Sequence, residues 1–306
     1  MRRSWASTPW SCCANSSSPS PRLPPSFRAE RHCSTNGREK RDVKADLAGR
    51  VAVVLGGTSG IGRAIVLKYA ECGAHVIFQG RSQKAADEVI AAAADADHAP
   101  RFVAADLYDY DAVARVMKSA FDAFGKIDIA VASGGTGKPK AALFDEISKN
   151  DLEGFFRTHA FQRIYALHAA FPYMKARGYG KLISVTTDAG RMPTPSESVI
   201  GAAAASIIFL TRALAREFAR WGVRVNAIST TLTTDTPAYD QFAKERAAGS
   251  DAVLVKAFKK IESKAPFGLN EPADLAELAL YLAAPESDQL SGATISVNGG
   301  ISFPQY

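Results

Sequence analysis

Between Val51 and Ala74 the chain runs from an apolar segment, Val51-Ala-Val-Val-Leu55, through Leu55-Gly-Gly-Thr-Ser-Gly-Ile-Gly62 into a stretch, Arg63 to Ala74, whose apolar residues recur at helical spacing. A buried strand, a glycine turn and a helix in that order leave few folds open. Glycines let the backbone turn tightly and come close to a pyrophosphate, which rests on the unpaired N–H groups and positive dipole end of the new helix. A dinucleotide is the ligand this arrangement predicts. Any strand-to-helix turn can need glycine, so the rest of the chain has to carry the assignment.

From Leu47 onward, strand and helix patterns alternate. Strands are expected over Val51 to Gly57, His75 to Gln79, Arg101 to Leu107, Ile127 to Ser133, Lys181 to Thr187, Arg224 to Thr230 and Thr294 to Asn298. Helical patterns fill Gly60 to Ala74, Gln83 to Ala96, Tyr110 to Phe124, Leu152 to Arg177, Ala203 to Trp221 and Pro272 to Ala284. Such alternation predicts an α/β fold: a Rossmann-like, doubly wound parallel sheet of about seven strands in one domain over residues 46–306, with helices on both faces. Ligands then bind at the carboxyl ends of the strands. Residues 231–270 break the rhythm with mixed charge and no strand. They read either as a substrate-covering insertion or as a solvated helical excursion.

Charge separates the body from its leader. Residues 1–45 carry nine Lys/Arg against three acids, while residues 46–306 are balanced at 28 of each. The whole excess of +6 therefore belongs to the leader. A body bound to nucleic acid is expected to carry its own basic excess, so that partner is not expected. The leader is rich in Ser, Pro and Arg, without hydrophobic periodicity, and is expected to be disordered. It reads as a transit peptide, a low-complexity leader or a start placed too far upstream. A cytoplasmic location is expected, or a mitochondrial or plastid matrix if the leader is a transit peptide. Three of the four cysteines lie in the leader and Cys72 stands alone, so no disulfide framework or metal site is expected. No run of 18 or more apolar residues calls for a membrane span.

At these residues the chain resembles the short-chain dehydrogenase/reductases, over Leu47 to about Gly300. Gly56-x-x-x-Gly60-Ile61-Gly62 resembles the family's TGxxxGIG turn, with Leu55 in place of its threonine. Ala105-Asp106-Leu107 resembles its adenine-contacting aspartate motif. Gly125-Lys-Ile-Asp128, Pro172-Tyr-Met174, Arg224-Val-Asn226 and Val297-Asn-Gly-Gly300 follow in family order, and Ala132-Ser133-Gly134-Gly135 stands where Asn-Asn-Ala-Gly is usual. The resemblance implies cofactor contacts at Gly56, Thr58, Ser59, Gly60, Ile61, Gly62, Asp106, Leu107, Ser133, Gly134 and Thr230. The second strand ends Gln79-Gly80-Arg81, with an arginine and no carboxylate. That pattern favours NADP(H) over NAD(H), Arg81 meeting the 2′-phosphate, although Ser59 stands where the family's second basic residue would be.

The family's active site is an Asn, Ser, Tyr, Lys tetrad with the last two spaced YxxxK. Anchored on Gly180-Lys-Leu-Ile183 and Leu210-Thr-Arg-Ala-Leu-Ala215, its serine falls on Thr187, its tyrosine on Ile200 and its lysine on Ala204; counting back from Pro172, its asparagine falls on His159. The local text Val199-Ile-Gly-Ala-Ala-Ala-Ala-Ser206 has no ionisable group. A positioned general acid contributes about 10² to 10⁴ in rate, so hydride transfer is impaired but not excluded. Three residues are candidates for the lost work. Thr187 keeps a hydroxyl where the family has one. Asp188 is either a turn residue or a carboxyl whose pKa rises on desolvation. His159, with Gln162 and Arg163 on the same helical face, is either a proton relay or a packed imidazole.

Three readings remain open. The first is an NADP(H)-dependent oxidoreductase with a non-standard site, reducing a small-molecule carbonyl or imine or oxidising the alcohol. The second is non-redox chemistry such as cyclisation or isomerisation. The third is a catalytically silent cofactor-binding scaffold or regulator. The resemblance also implies a homodimer or homotetramer joined through the two long helices; small residues Ala202 to Ala205 suit such close approach or packing on the sheet.

Overall fold

The computed structural model describes residues 45–135, 139–250 and 253–302. The leader expected over residues 1–45 lies, up to Lys44, outside the described residues. The remainder holds seven strands in one sheet: β1 (Val51–Leu55), β2 (His75–Gly80), β3 (Arg101–Ala104), β4 (Ile129–Ala132), β5 (Gly180–Thr187), β6 (Val223–Thr230) and β7 (Thr294–Val297). Their order is β3-β2-β1-β4-β5-β6-β7, every neighbouring pair parallel. The chain reverses direction across the sheet between β1 and β4, where a doubly wound fold places its ligand crevice.

The helices are α1 (Gly60–Glu71), α2 (Gln83–Ala92), α3 (Tyr110–Phe124), α4 (Lys149–Phe156), α5 (Gln162–Arg177), α6 (Ser198–Phe218), α7 (Pro237–Ala247), α8 (Val253–Lys264) and α9 (Pro272–Ala283). Local chemistry sets many ends. Ser82, Asp109, Ser148 and Thr236 cap the amino ends of α2, α3, α4 and α7 with side-chain acceptors, and Gly125 and Gly178 close α3 and α5 in left-handed geometry.

Strand alternation distributes the core. Ala52 and Val54 of β1 pack with Ile65, Val66 and Tyr69 of α1 and Leu275, Ala279 and Leu282 of α9. Val51, Val53 and Leu55 face the opposite layer, with Val113 and Met117 of α3 and Leu167 and Met174 of α5. Each large side chain fully removed from water contributes roughly 1.5 to 3 kcal/mol, so both faces of β1 anchor the fold.

The expected helix over Leu152 to Arg177 is α4 and α5 joined by a π-helical turn, Arg157–Phe161. Residues 231–270 contain α7 and α8, and an isolated bridge pairs Thr233 with Asn270. Helix α6 begins at Ser198, five residues before the expected start. With the following turn to Trp221 it is long and apolar enough, by length and composition alone, to cross a membrane. Yet Val199, Ala203, Ala204, Ile207 and Thr211 are buried within the fold.

Candidate cofactor and active site

A cavity of about 280 Å³ opens at the carboxyl ends of the first strands. Its lining includes Gly56, Thr58, Ser59, Gly60, Ile61, Gly62, Arg81, Asp106, Leu107, Ser133 and Gly134, so eleven of the twelve residues implied as cofactor contacts converge on one space. Thr230 does not line it. Its hydroxyl accepts from Asn270 Nδ2 at 3.1 Å and shares a bond with Thr233 at 3.1 Å, tying the end of β6 to the following segment. From that segment Thr236, Pro237 and Ala238 line the cavity instead.

The cradle is shaped by missing Cβ atoms. Gly56 adopts φ +81°, and a Cβ there would stand 2.5 Å from Gly134 Cα. A Cβ on Gly134 would collide with Leu107 Cδ1, and one on Gly80 with the Thr58 methyl. Gln79 braces the turn: its Oε1 accepts from the Gly56 N–H at 2.9 Å, and its Nε2 donates to Ala105 O at 2.5 Å. Ser59 occupies the N-cap of α1 in extended conformation without a side-chain cap, leaving the first amides of that helix free for an anion. Arg81 is exposed at the rim, and Asp106 Oδ1 accepts from the Tyr108 N–H at 3.0 Å. Two buried polar atoms, Ser133 Oγ and Gln162 Oε1, lack hydrogen-bond partners. Buried polar atoms are rarely left so, and a cavity lined by them, by glycines and by free amides fits a dinucleotide. Sequence reading did not assign Gln79, Tyr108, Gln162 and Thr236 to this cavity; the signals at hand were the place of Gln79 at a strand end and that of Gln162 on the His159 face.

The three candidate catalytic residues do not line this cavity. Thr187 ends β5 beside Thr230 of β6, and its Oγ1 accepts from the Ala189 N–H at 3.2 Å, leaving its own proton free to be donated. Of the two readings of Asp188, a turn residue or a carboxyl of raised pKa, the structure goes against the second. Burial pushes its carboxyl up, but bonds from Ser229, Asn298, Ser302 and Ser296 outweigh this and hold it below the ordinary carboxylate value. Those four donors lie at 2.6, 2.8, 2.7 and 2.7 Å, and Arg191 pairs with it at 3.1 Å. It is a buried structural hub linking the turn after β5 to β6, β7 and Ser302. His159 sits in the π turn, its pKa driven down to about 3 by burial and by the charge of Arg163, so its imidazole is neutral near pH 7.

The positions matched to tyrosine and lysine are filled by packing. Ile200 joins Phe155 and Val199 in an apolar cluster, and Ala204 is fully buried. Small residues serve a close approach of α6 to the turn Asp188–Gly190. A Cβ on Gly190 would stand 2.8 Å from Ala205 N, and one on Gly201 only 2.5 Å from Ala189 O. Glu197, just before α6, was not singled out in the sequence; burial raises its carboxyl to about 7. Among the described residues no group of His, Cys, Asp and Glu is placed to hold a metal ion.

Comparison with known proteins defines the class. Residues 56–302 match the family model described as enoyl-(acyl carrier protein) reductase. A cis-4-hydroxycyclohexanecarboxylate dehydrogenase of Sinomonas cyclohexanicum is 34% identical over 261 residues, 83% of this chain and 96% of that relative. The 2,5-dichloro-2,5-cyclohexadiene-1,4-diol dehydrogenase of Sphingobium indicum is 29% identical, over 84% and 97% of the two chains. A solved structure of a short chain dehydrogenase/reductase family protein superposes with a TM-score of 0.70 at 33% identity, covering 83% of this chain and 98% of that one. The chain belongs to the short-chain dehydrogenase/reductase family of oxidoreductases.

Proposed function

We propose that this protein is an NADP(H)-dependent oxidoreductase with a rebuilt active site, interconverting a small ketone, or imine, and its reduced form. The observation that carries the reading is the cavity itself. It joins a glycine cradle, the free amides of α1, unpartnered Ser133 Oγ and Gln162 Oε1, and a rim arginine at the end of a strand, Gln79-Gly80-Arg81, that carries no carboxylate. Gly56, Ser59, Gly60, Ile61 and Gly62 would hold the pyrophosphate, Asp106 and Leu107 the adenine, and Arg81 the 2′-phosphate. The bound cofactor would supply the hydride that reduces a carbonyl carbon, the carbonyl oxygen taking a proton.

Thr187 is assigned the donor that orients the substrate oxygen, a role worth about 10² in rate for one hydroxyl or amide at other oxyanion sites. Asp188 keeps the turn carrying Thr187 in place. His159 is neutral near pH 7 and so does not serve as an imidazolium acid there. Burial raises the Glu197 carboxyl, just before α6, to about 7. Thr236, Pro237 and Ala238 line the cavity from the segment after β6, with Thr236 against Gly60. Both dehydrogenase relatives named above act, by their names, on hydroxyl groups of six-membered rings. A ring alcohol and its ketone are therefore the proposed substrate class. Exposed Phe209 on α6 and Phe161 in the π turn suit a homodimer or homotetramer joined across these helices.

Stopped-flow measurement of NADPH oxidation with cyclohexanones, activated ketones and cyclic imines tests the reading. Turnover of at least one ring ketone is expected. NADPH binding without oxidation by any electrophile would overturn it in favour of a second reading, a cofactor-binding scaffold or a non-redox enzyme. That reading draws on the burial of Ile200 and Ala204 where the family has its acid and its cation.

A further inference from the structure

Arg163 is buried, 7% exposed, one residue after the cavity-lining Gln162. Its Nε donates to Val185 O in β5 at 2.6 Å, and its Nη1 donates to Thr158 O in the π turn at 2.9 Å. The remaining nitrogen, Nη2, points toward Gly135: a Cβ on that glycine would stand 3.7 Å from it. Gly135 lines the cavity, so Nη2 lies directly behind that part of its wall, although Arg163 itself is not among the lining residues.

No carboxylate pairs with this cation among the described residues. Taking a guanidinium from water is costly, and two carbonyl bonds restore only part of that cost. Its titratable neighbour, His159, is neutral near pH 7 and supplies no counter-charge. Burial lowers the Arg163 pKa only to about 10, so the positive charge persists at neutral pH. The other edge of Val185 leads within two residues to Thr187, so the charge and the hydroxyl belong to the same strand end. A strut between the π turn and β5 would need the two carbonyl bonds but not a lasting charge, which a neutral amide could replace at lower desolvation cost.

We infer that Arg163 is the site's resident cation and binds an anionic oxygen of the substrate through Nη2. Two sources supply such an oxygen: a carboxylate carried by the substrate, or the alkoxide that develops as hydride reaches the carbonyl carbon. In a water-poor site either would gain far more from the guanidinium than it would in bulk water. The inference rests on the oxidoreductase reading for the alkoxide and is independent of it for the carboxylate.

The test uses full-length protein loaded with NADP⁺ or NADPH. Calorimetric titration of wild type with cyclohexanecarboxylate and with cyclohexylmethanol compares a carboxylate with a neutral analogue. For a carboxylate-bearing substrate, the anion binds at least 10-fold tighter, and Arg163→Gln abolishes that preference while NADPH affinity changes less than 2-fold. For the alkoxide, wild type shows no such preference. Arg163→Gln then slows single-turnover reduction of cyclohexanone at least 30-fold with an unchanged KM, and added guanidinium or Arg163→Lys restores part of the rate. Should Arg163→Gln fail to fold, Arg163→Lys and wild type carry the same comparisons, the shorter cation weakening carboxylate binding or slowing the rate. Absence of a carboxylate preference, together with a reduction rate unaltered by substitution or no reduction at all, overturns the inference. A lack of turnover with an Arg163-dependent carboxylate preference would overturn only the redox reading.

Discussion

The methyl group of Thr58 fills the space that a side chain at Gly80 would need. The glycine turn and the end of β2 thus interlock so that position 80 stays a glycine and no carboxylate grows there. On the proposed reading of NADP(H), a ribose 2′-hydroxyl would find no acceptor at that point and Arg81 at the rim would meet a 2′-phosphate. Arg81→Ala is expected to weaken NADPH about 10-fold, the low end for an exposed charge-assisted bond, and NADH less than 2-fold. Fluorescence titration of both cofactors checks this. Equal losses would remove the 2′-phosphate assignment.

Gly56 and Gly125 offer a matched pair. Both have positive φ, +81° and +68°, but a Cβ on Gly56 meets the Gly134 backbone at 2.5 Å whereas nothing lies within 4 Å of one on Gly125. Each substitution to alanine costs about 1 to 2 kcal/mol for the left-handed backbone. Only Gly56→Ala must also move the cradle, and it is expected to lower NADPH affinity more than 10-fold. Denaturant unfolding beside cofactor titration separates the two costs; an unchanged affinity in Gly56→Ala would argue that the cofactor does not use this turn.

Thr187→Val removes the hydroxyl and leaves its shape. Single-turnover hydride transfer is expected to fall about 10²-fold, with Thr187→Ser within 3-fold of wild type. Loss of the Ala189 N–H bond costs about 1 kcal/mol in stability, readable from the melting curve. Equal rates for all three proteins would place the reacting oxygen elsewhere.

Asp188 distinguishes a structural hub from a proton donor. Asparagine there turns an NH₂ group toward hydroxyls and Arg191 that now donate, a loss of about 3 kcal/mol. For a domain of this size that is a fall in melting temperature of roughly 6 to 12 °C. The lowered pKa means this stabilisation is present above the unfolded-state value and is lost as pH falls through the folded one. A slower hydride transfer with no change in melting temperature would return Asp188 to the role of acid.

The split between what sequence showed and what it did not follows the range of each interaction. The sheet was legible because period-two apolar runs such as Val51–Leu55 and period-3.6 runs such as Tyr110–Phe124 are local signals. That eleven residues would line one cavity was legible because the glycine turn and the strand ends are contiguous motifs. The state of Asp188 was not, since its partners Ser229, Ser296, Asn298 and Ser302 lie 41 to 114 residues away. The π turn at Arg157–Phe161 was also hidden: its one-residue widening leaves the apolar period on either side intact. The start of α6 at Ser198 was hidden because apolar period was counted only from Ala203, whereas the first turn lies against Ala189, which a Cβ on Gly201 would meet at 2.5 Å.

His159 and Glu197 pull stability in opposite directions across mildly acid pH. The folded-state pKa of His159, about 3, lies below its unfolded value near 6.5, so the unfolded chain binds more protons between them and stability falls as pH drops through that window. That of Glu197, about 7, lies above its unfolded value near 4.5, so the folded chain binds more protons and stability falls as pH rises. Between pH 4.5 and 6.5 the two slopes nearly cancel. Replacing Glu197 with glutamine leaves the histidine unopposed, and stability should then rise with pH by up to about 1.4 kcal/mol per unit relative to wild type. His159→Gln should show the opposite slope of similar size. Urea unfolding of the three proteins at pH 5.0, 5.5, 6.0 and 6.5 measures both, and parallel curves would mean that neither group is buried as the fold requires.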